Sequence, residues 1–521
     1  MARTTITGPK AGRREWIGLG VIALPCLLYS MDLTVLNLAV PRLSADLKPS
    51  SAQLLWIIDI YGFLVAGSLI TMGTLGDRIG RRRLLLIGAA AFGAASVVAA
   101  FSTSAEMLIA TRALLGVAGA TLAPSTLSLI RNMFLDPHQR TFAIGVWVTS
   151  YSVGGAIGPL VGGVMLQYFW WGSVFLIGVP VMLLLLAVGP ILLPEFRDPK
   201  AGRLDLFSAA LSLAAVLSVI YGLKRVAEGG GAWSAALTIL AGLALGIAFV
   251  RRQRNLADPL IDLRLFRIPA FSASLTLYLL GTLVAFGAYI FIAQYLQLVL
   301  ELSPLQAGLA TVPSMLAFVA GSMIVPWIAR RVAPALTMTG GLIVAAVGFG
   351  LLTQVDGSGL AVLIAGSVVY SLGISPVVIL ATDLIVGSAP VERAGAAAAI
   401  SETSSELGGA LGIAILGSIG VAVYRSAMAA GIPLGVPPEA SEVAKATLGG
   451  ALAVATQLPG PLAAELLSTA RAAFVRAFTL TAAISAGVAL LVAPLAAVLL
   501  RRPPSLPLGR LGAQARGDRP H

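Results

Sequence analysis

Apolar runs of about twenty residues recur along the whole chain, separated by short segments that hold most of the charge. Fourteen runs can be marked: 16–40, 53–75, 84–103, 107–130, 141–166, 172–193, 206–224, 233–250, 270–298, 306–328, 336–354, 360–387, 395–423 and 474–500. A helix of ~20 apolar residues spans the hydrocarbon of a bilayer. Lipid offers no partner to unpaired backbone groups, so a spanning segment is either a helix or part of a closed barrel. The period-2 alternation of barrel strands is absent. Each run therefore predicts a membrane-crossing helix, and the expected fold class is all-α integral membrane.

Composition agrees. The 521 residues are 58% hydrophobic and 11% charged, with a mean hydropathy of +0.93, whereas soluble domains are about a quarter charged. The net charge of +12 does not point to nucleic acid, because the basic residues lie between apolar runs rather than on one face. Most of the 35 lysines and arginines fall in segments on the same side as both termini, which predicts cytoplasmic termini. The first run follows Arg13 and Arg14 and is too long for a signal h-region, so it reads as a retained span. Cys26 is the single cysteine, and His138 and His521 are the two histidines. That excludes an intramolecular disulfide and a His-based metal site, and His138 reads as a solvated loop residue.

Three segments lie outside the expected spans. Residues 1–15 form a cytoplasmic N-terminus and 501–521 an Arg-, Pro- and Gly-rich cytoplasmic tail, expected to be disordered. In 424–473, Pro433, Pro437, Pro438, Pro459 and Pro461 punctuate helix-like stretches at 439–457 and 461–472. An extracytoplasmic helical hairpin is expected there, with an irregular loop as the alternative.

Charge inside a span is expensive and points to function. The candidates are Asp32, Asp59, Arg112, Glu402 and Glu406. Glu402 and Glu406 share a helix face, with a rise of ~6 Å between them. At an effective dielectric near 20, two carboxylates at ~6 Å repel by roughly 3 kcal/mol. One of them tends to hold a proton until a cation replaces it. Proton and cation then compete for one negative charge, unless one or both acids face a wet mouth. For Arg112, a snorkelling structural role is the alternative. Aromatic faces suit a flat, poorly hydrated cation at ~0.5–2 kcal/mol each. Candidates are Tyr29, Trp56, Tyr61, Trp147, Tyr151, Phe286, Tyr289, Phe291 and Tyr295, with Met31; any one of them alone is more often a packing or lipid-facing residue, and a subset is expected to line the cavity. Asp383, near Gly387, Pro390 and Arg393, reads as a structural pair or cap. There is no HExxH, Walker loop, dinucleotide fingerprint or nucleophile–base pair, so an enzyme is not expected and transport must run on an ion gradient.

Several motifs carry a family likeness. GTLGDRIGRRRLL, from Gly73 to Leu85, resembles the loop signature of the major facilitator superfamily. RALLGVAGA contains Arg112, Gly116 and Gly119; GGAIGPLVGG contains Gly154, Gly158, Pro159, Gly162 and Gly163 and looks like the antiporter signature of major facilitator exporters. MDLTVLNLAVP (Met31 to Pro41) is similar to the first-span motif of the fourteen-span drug:proton antiporters, and LLWIIDIYGF places an acid, Asp59, where exporters of methyl viologen and quaternary ammonium compounds, of the SmvA and QacA type, have one. The likeness runs from the first span through Arg501.

The resemblance implies a major facilitator fold: six-helix bundles at 16–193 and 270–500 (the latter including 424–473), with two extra helices at 206–250 inserted between them. Gly73, Asp77, Arg78, Gly80 and Arg81 would form a latch that stabilises the outward-facing state. Asp32, Arg112 and Glu402 would couple protons. Glu406 and Asp59, with Tyr29, Trp56, Tyr61, Trp147, Tyr151 and Tyr289, would bind substrate. The bend at Pro159 would close one side of the pore and favours export. The second-half counterpart of the loop signature, GSMIVPWIARRVAP, keeps Arg330 and Arg331 but has no aspartate, so a second latch is weak. The expected function is proton-driven export of lipophilic cationic drugs, dyes, quaternary ammonium biocides and viologens across the bacterial cytoplasmic membrane, by a monomer with no cofactor and no nucleic-acid partner. Export of a self-made antibiotic or another metabolite is the alternative. A polar-nutrient carrier fits less well, since Asn37 and Gln294 are few beside the acids.

Overall fold

The computed structural model describes residues 9–49, 51–197, 204–227, 232–256, 259–356 and 359–500, without the side chains of a few helical positions. The expected tail at 501–521, the first eight residues and the Pro159 side chain lie outside the described residues.

The chain runs through α1 (Arg13–Leu47), α2 (Ser51–Ile79), α3 (Arg81–Ala100), α4 (Ala105–Gly119), α5 (Leu122–Met133), α6 (Pro137–Tyr168), α7 (Ser173–Leu176) and α8 (Gly178–Leu192). Next come α9 (Leu206–Ala227) and α10 (Ala232–Asn255). The second half comprises α11 (Pro269–Gln294), α12 (Pro304–Ala329), α13 (Pro334–Leu352), α14 (Leu360–Ser388), α15 (Ala394–Gly431), α16 (Pro438–Ala446), α17 (Leu448–Ala455) and α18 (Gly460–Leu499). Among the described residues there is no strand. Thirteen stretches among the described residues are long and apolar enough to cross a membrane, α4–α5 and α7–α8 each counting as one broken span. The 32-residue α6 is the fourteenth long helix.

Helix starts follow local chemistry. Ser104 accepts from the Met107 N–H, Asp136 accepts from Gln139 ahead of Pro137, and Ser303 forms a capping box with Gln306. Between helices, close packing rests on glycine, because lipid tails supply no hydrophobic drive and backbone approach must supply contact instead. A Cβ on Gly154 of α6 would strike the Leu27 carbonyl of α1, and one on Gly412 of α15 would strike the Leu283 carbonyl of α11. The two halves thus use the same device.

The inserted helices α9 and α10 pack on each other, and α9 also touches α2 and α15, so the pair lies along the seam where the halves meet. At 38 and 40 residues, α15 and α18 extend ~57–60 Å, well beyond a ~30 Å hydrocarbon layer. The short helices α16 and α17 lie between their protruding ends, and the Tyr424 hydroxyl donates to the Ala444 carbonyl at 3.0 Å.

Candidate functional site

The turn from α2 into α3 joins the two halves. Gly80 sits there at φ +112°, a region that side chains with a Cβ avoid. This sharp turn lets Asp77 face both its neighbour Arg81 and the start of α15. Asp77 Oδ1 accepts from Arg81 Nη2 at 2.8 Å, Arg81 Nε at 3.0 Å and the Gly395 N–H at 3.0 Å; Oδ2 accepts from the Ala396 N–H at 3.0 Å. One carboxylate therefore caps a helix of the opposite half, where unpaired N–H groups and the helix dipole favour negative charge. Arg81 Nη2 also donates to the Val391 carbonyl at 2.6 Å, and its guanidinium lies 4.9 Å from the Phe196 ring centre. Gly73 is required: a Cβ there would meet the Gly395 carbonyl and Ala399. Arg78 lies in the last turn of α2.

A second tie closes the same end. Arg140 Nε of α6 donates to Asp383 Oδ1 at 2.6 Å and Thr141 Oγ1 to Asp383 Oδ2 at 2.6 Å. Asp383 is thus a structural pair that reaches across from α14. Arg140, the first-half partner, has no in-span signature, because it sits one turn into α6 beyond a loop.

Deeper in the first half, Arg112 of α4 is 1% exposed. Its Nη1 pairs with Asp32 Oδ2 of α1 at 2.5 Å, and its Nε donates to the Ile57 carbonyl of α2 at 3.2 Å. Its guanidinium also lies 4.6 Å from the Tyr61 ring centre. Arg112 is held by a carboxylate, a carbonyl and an aromatic face instead of reaching for the membrane surface. Gly116 permits this, since a Cβ there would strike the Tyr61 backbone.

From Tyr61 an aromatic chain crosses the half: Tyr61 to Tyr29 at 5.9 Å between ring centres, Tyr29 to Tyr151 at 5.6 Å and Tyr151 to Trp147 at 4.9 Å. Trp147 Nε1 donates to Thr126 Oγ1 at 2.9 Å. The Tyr29 hydroxyl donates to Glu406 Oε1 of α15 at 3.4 Å, a long bond that bridges the two halves. Glu402 lies one turn earlier on α15. Its Oε1 is shut off from solvent and has no hydrogen-bond partner among the described residues. Such an atom is costly as an ion, and a proton on it or a cation beside it removes the penalty. The cluster can therefore hold protons or a cation at the seam.

Trp56 and Asp59 lie elsewhere. Trp56, Asp59 and Phe63 share a face of α2 that turns toward α9, where Asp59 pairs with Lys224 and Phe63 meets Tyr221. Trp56 is 45% exposed and edge-on to Phe63. Asp59 and Tyr61 are two residues apart on a helix of 3.6 residues per turn, so they point to nearly opposite sides. The structure does not bring Asp59 and Trp56 to the Tyr29–Glu406 contact. Tyr289 and Phe286 of α11 are exposed. Phe291 stacks on Phe478, and buried Tyr295 donates to the Asp356 carbonyl, so both pack the second half. Among the antiporter glycines, Gly154 and Gly158 are buried, Gly162 meets Val35, and Gly163 faces open space. Lys224 was legible only as a charge at the end of a span; that it answers Asp59 depends on how α9 docks.

Two halves of apolar helices, tied at one end by a helix cap and an ion pair and carrying acids along their seam, define a multi-pass membrane transporter. Residues 22–413 match the Major Facilitator Superfamily, and the chain belongs to that family. It is a transporter and not an enzyme. It is 44% identical over 490 residues to the multidrug efflux pump LfrA of Mycolicibacterium smegmatis, covering 94% of this chain and 97% of that protein. It is 38% identical over 472 residues to the methyl viologen resistance protein SmvA of Salmonella typhimurium, covering 89% and 93%. Its fold is similar to the crystal structure of the human organic anion transporter MFSD10, with TM-score 0.61, 18% identity and coverage of 92% of this chain and 99% of that one; at that identity the likeness concerns the fold alone.

Proposed function

We propose that this protein is a proton-coupled antiporter that exports lipophilic cations, including dyes, quaternary ammonium biocides and viologens, across a bacterial cytoplasmic membrane. Both termini lie in the cytoplasm, and the proton gradient is the energy source with no cofactor. The observation that carries the reading is the contact of Tyr29 with Glu406 across the seam, beside the unpartnered oxygen of Glu402 and within one aromatic step of the Asp32–Arg112 pair. The relatives named for multidrug efflux and methyl viologen resistance support it.

In this reading a cation settles against Glu406 and Glu402 with the rings of Tyr29 and Tyr151 beside it. Protonation of the acids removes the charge that holds it, so proton uptake drives release. Alternating access arises when the two halves rock about the seam, which requires the Asp77 cap on α15 and the Arg140–Asp383 pair to break. Each net positive charge moved inward gains ~2.3 kcal/mol per 100 mV, so exchange of two protons for one monovalent cation is driven by voltage as well as pH.

The test is transport of ethidium and methyl viologen in proteoliposomes with an imposed pH gradient, comparing the wild type with Glu402→Gln and Glu406→Gln. Gradient-driven accumulation of both cargoes in the wild type, lost for both in Glu402→Gln and weakened more for methyl viologen than for ethidium in Glu406→Gln, is the expected result. Wild-type vesicles that ignore the gradient would sink the reading.

A further inference from the structure

The first half contains a small crevice between α1, α3 and the α7–α8 span, with about 20 Å³ of space, enough for about one water molecule. Asp32 is the one acid among its lining residues, and Ser96 of α3 is the other polar group; Leu28, Val35, Phe92 and Phe175 supply apolar wall. Ser96 lies four residues before the end of α3 and Phe175 near the start of the α7–α8 span, so the crevice occupies the half of the bundle away from the Asp77 latch.

We propose that this crevice is the route by which protons reach Asp32, separate from the seam where a cationic substrate meets Glu406. The proposal rests on the antiport reading and adds a second pathway to it. Leu28, Met31, Asp32 and Val35 follow i, i+3, i+4, i+7 spacing and form one face of α1. Tyr29 is directed to the seam, where it touches Glu406. The rings of Tyr29 and Tyr61 lie together on the seam side of the Asp32–Arg112 pair.

Charge separates the two routes. Asp32 is already matched by Arg112 at 2.5 Å, so the crevice presents no net negative charge to a bulky cation, and the buried guanidinium repels one. A proton can still transfer to Asp32 Oδ through water, since a site with two polar groups and room for water can hold it. Once Asp32 is neutral, Arg112 keeps its contacts to the Ile57 carbonyl and the Tyr61 ring. Its uncompensated charge then acts on the Tyr61–Tyr29–Glu406 line. The two ligands therefore communicate through Arg112 and the tyrosines without sharing a path.

Cys26 is the single cysteine of the chain and does not line the crevice, so in a Cys26→Ser background a cysteine placed in the crevice is the one thiol present. Ser96→Cys is close to isosteric, and Gly178→Cys offers a second position, where an added Cβ meets nothing nearer than 3.4 Å. Each variant would be reacted with neutral ethyl methanethiosulfonate in proteoliposomes. Labelling should leave ethidium binding and ethidium–ethidium exchange within twofold of the unlabelled variant, while pH-driven ethidium transport and ethidium-induced proton release slow at least tenfold. Full-rate pH-driven transport after labelling would overturn the proposal. So would parallel loss of binding and exchange, which would make the crevice part of the substrate route, or resistance of both cysteines to the reagent, which would show that water does not reach it. If unlabelled variants and wild type alike show no proton-coupled transport, the antiport reading itself fails and this inference with it.

Discussion

Asp77 of α2 accepts the backbone N–H of Gly395 at 3.0 Å and so caps a helix that belongs to the other half of the molecule. A cap is worth ~1 kcal/mol, and a charge-assisted bond roughly twice a neutral one. The Asp77→Ala variant should therefore shift the balance between closed and open latch by about tenfold or more. Cysteine labelling at the α2–α3 turn should rise, and transport should fall while the protein still folds. Unchanged accessibility would show that the cap does not govern opening.

Glu406 lies across the seam from Tyr29, and in the proposed reading its charge helps hold the cation there. Glu406→Gln should weaken transport of the dication methyl viologen at least tenfold, and of monovalent ethidium by less, because one fewer charge matters more to a divalent guest. Tyr29→Phe removes a long, weak donor and should change affinity about two- to fivefold, in line with ~1 kcal/mol for such a bond. Equal loss for both cargoes in Glu406→Gln speaks against the substrate role.

Asp32 and Arg112 form a buried pair whose members differ in what their loss leaves behind. Asp32→Asn should abolish uphill transport driven by a pH gradient and spare ethidium–ethidium exchange. Arg112→Ala leaves the Asp32 carboxylate without its partner and should destabilise the protein by ~3–5 kcal/mol, read as a lower midpoint of thermal unfolding in detergent. Gradient-driven transport that survives Asp32→Asn removes this acid from the coupling path.

Asp59 and Lys224 join α2 to the inserted α9 away from the Tyr29–Glu406 contact. Asp59→Lys or Lys224→Asp alone should lower thermal stability, and the double exchange should restore it. Charge selectivity should stay near that of the wild type in the exchanged protein. A loss of dication transport as large as that of Glu406→Gln would return Asp59 to the substrate site.

Gly154 and Gly163 lie in one motif but differ in surroundings. Gly154→Ala drives a Cβ into the Leu27 carbonyl, whereas Gly163 has nothing within 4 Å. Overpacking costs ~1–3 kcal/mol, so Gly154→Ala should lower the unfolding midpoint and Gly163→Ala should not. A similar loss in both would mean that the motif acts through helix flexibility and not through packing on α1.

Local information was enough for much of this protein. Twenty-residue apolar runs mark where helices cross, because a bilayer reads length and hydropathy and little else. Gly73, Asp77, Gly80 and Arg81 announce the latch, since a tight turn and a helix cap are written in consecutive residues. The four-residue spacing of Glu402 and Glu406 places both on one face of α15. What stayed hidden was direction. In lipid, the packed and the exposed faces of a helix are both apolar, so no polar stripe tells which way Trp56 or Tyr61 points. Only the docking of α4 against α2 sends Tyr61 to Arg112, and only the docking of α9 gives Asp59 to Lys224. The tertiary structure decided partners, because the Asp32–Arg112, Asp59–Lys224 and Arg140–Asp383 pairs join residues far apart in the chain, and pairing across that distance depends on how whole helices settle against one another.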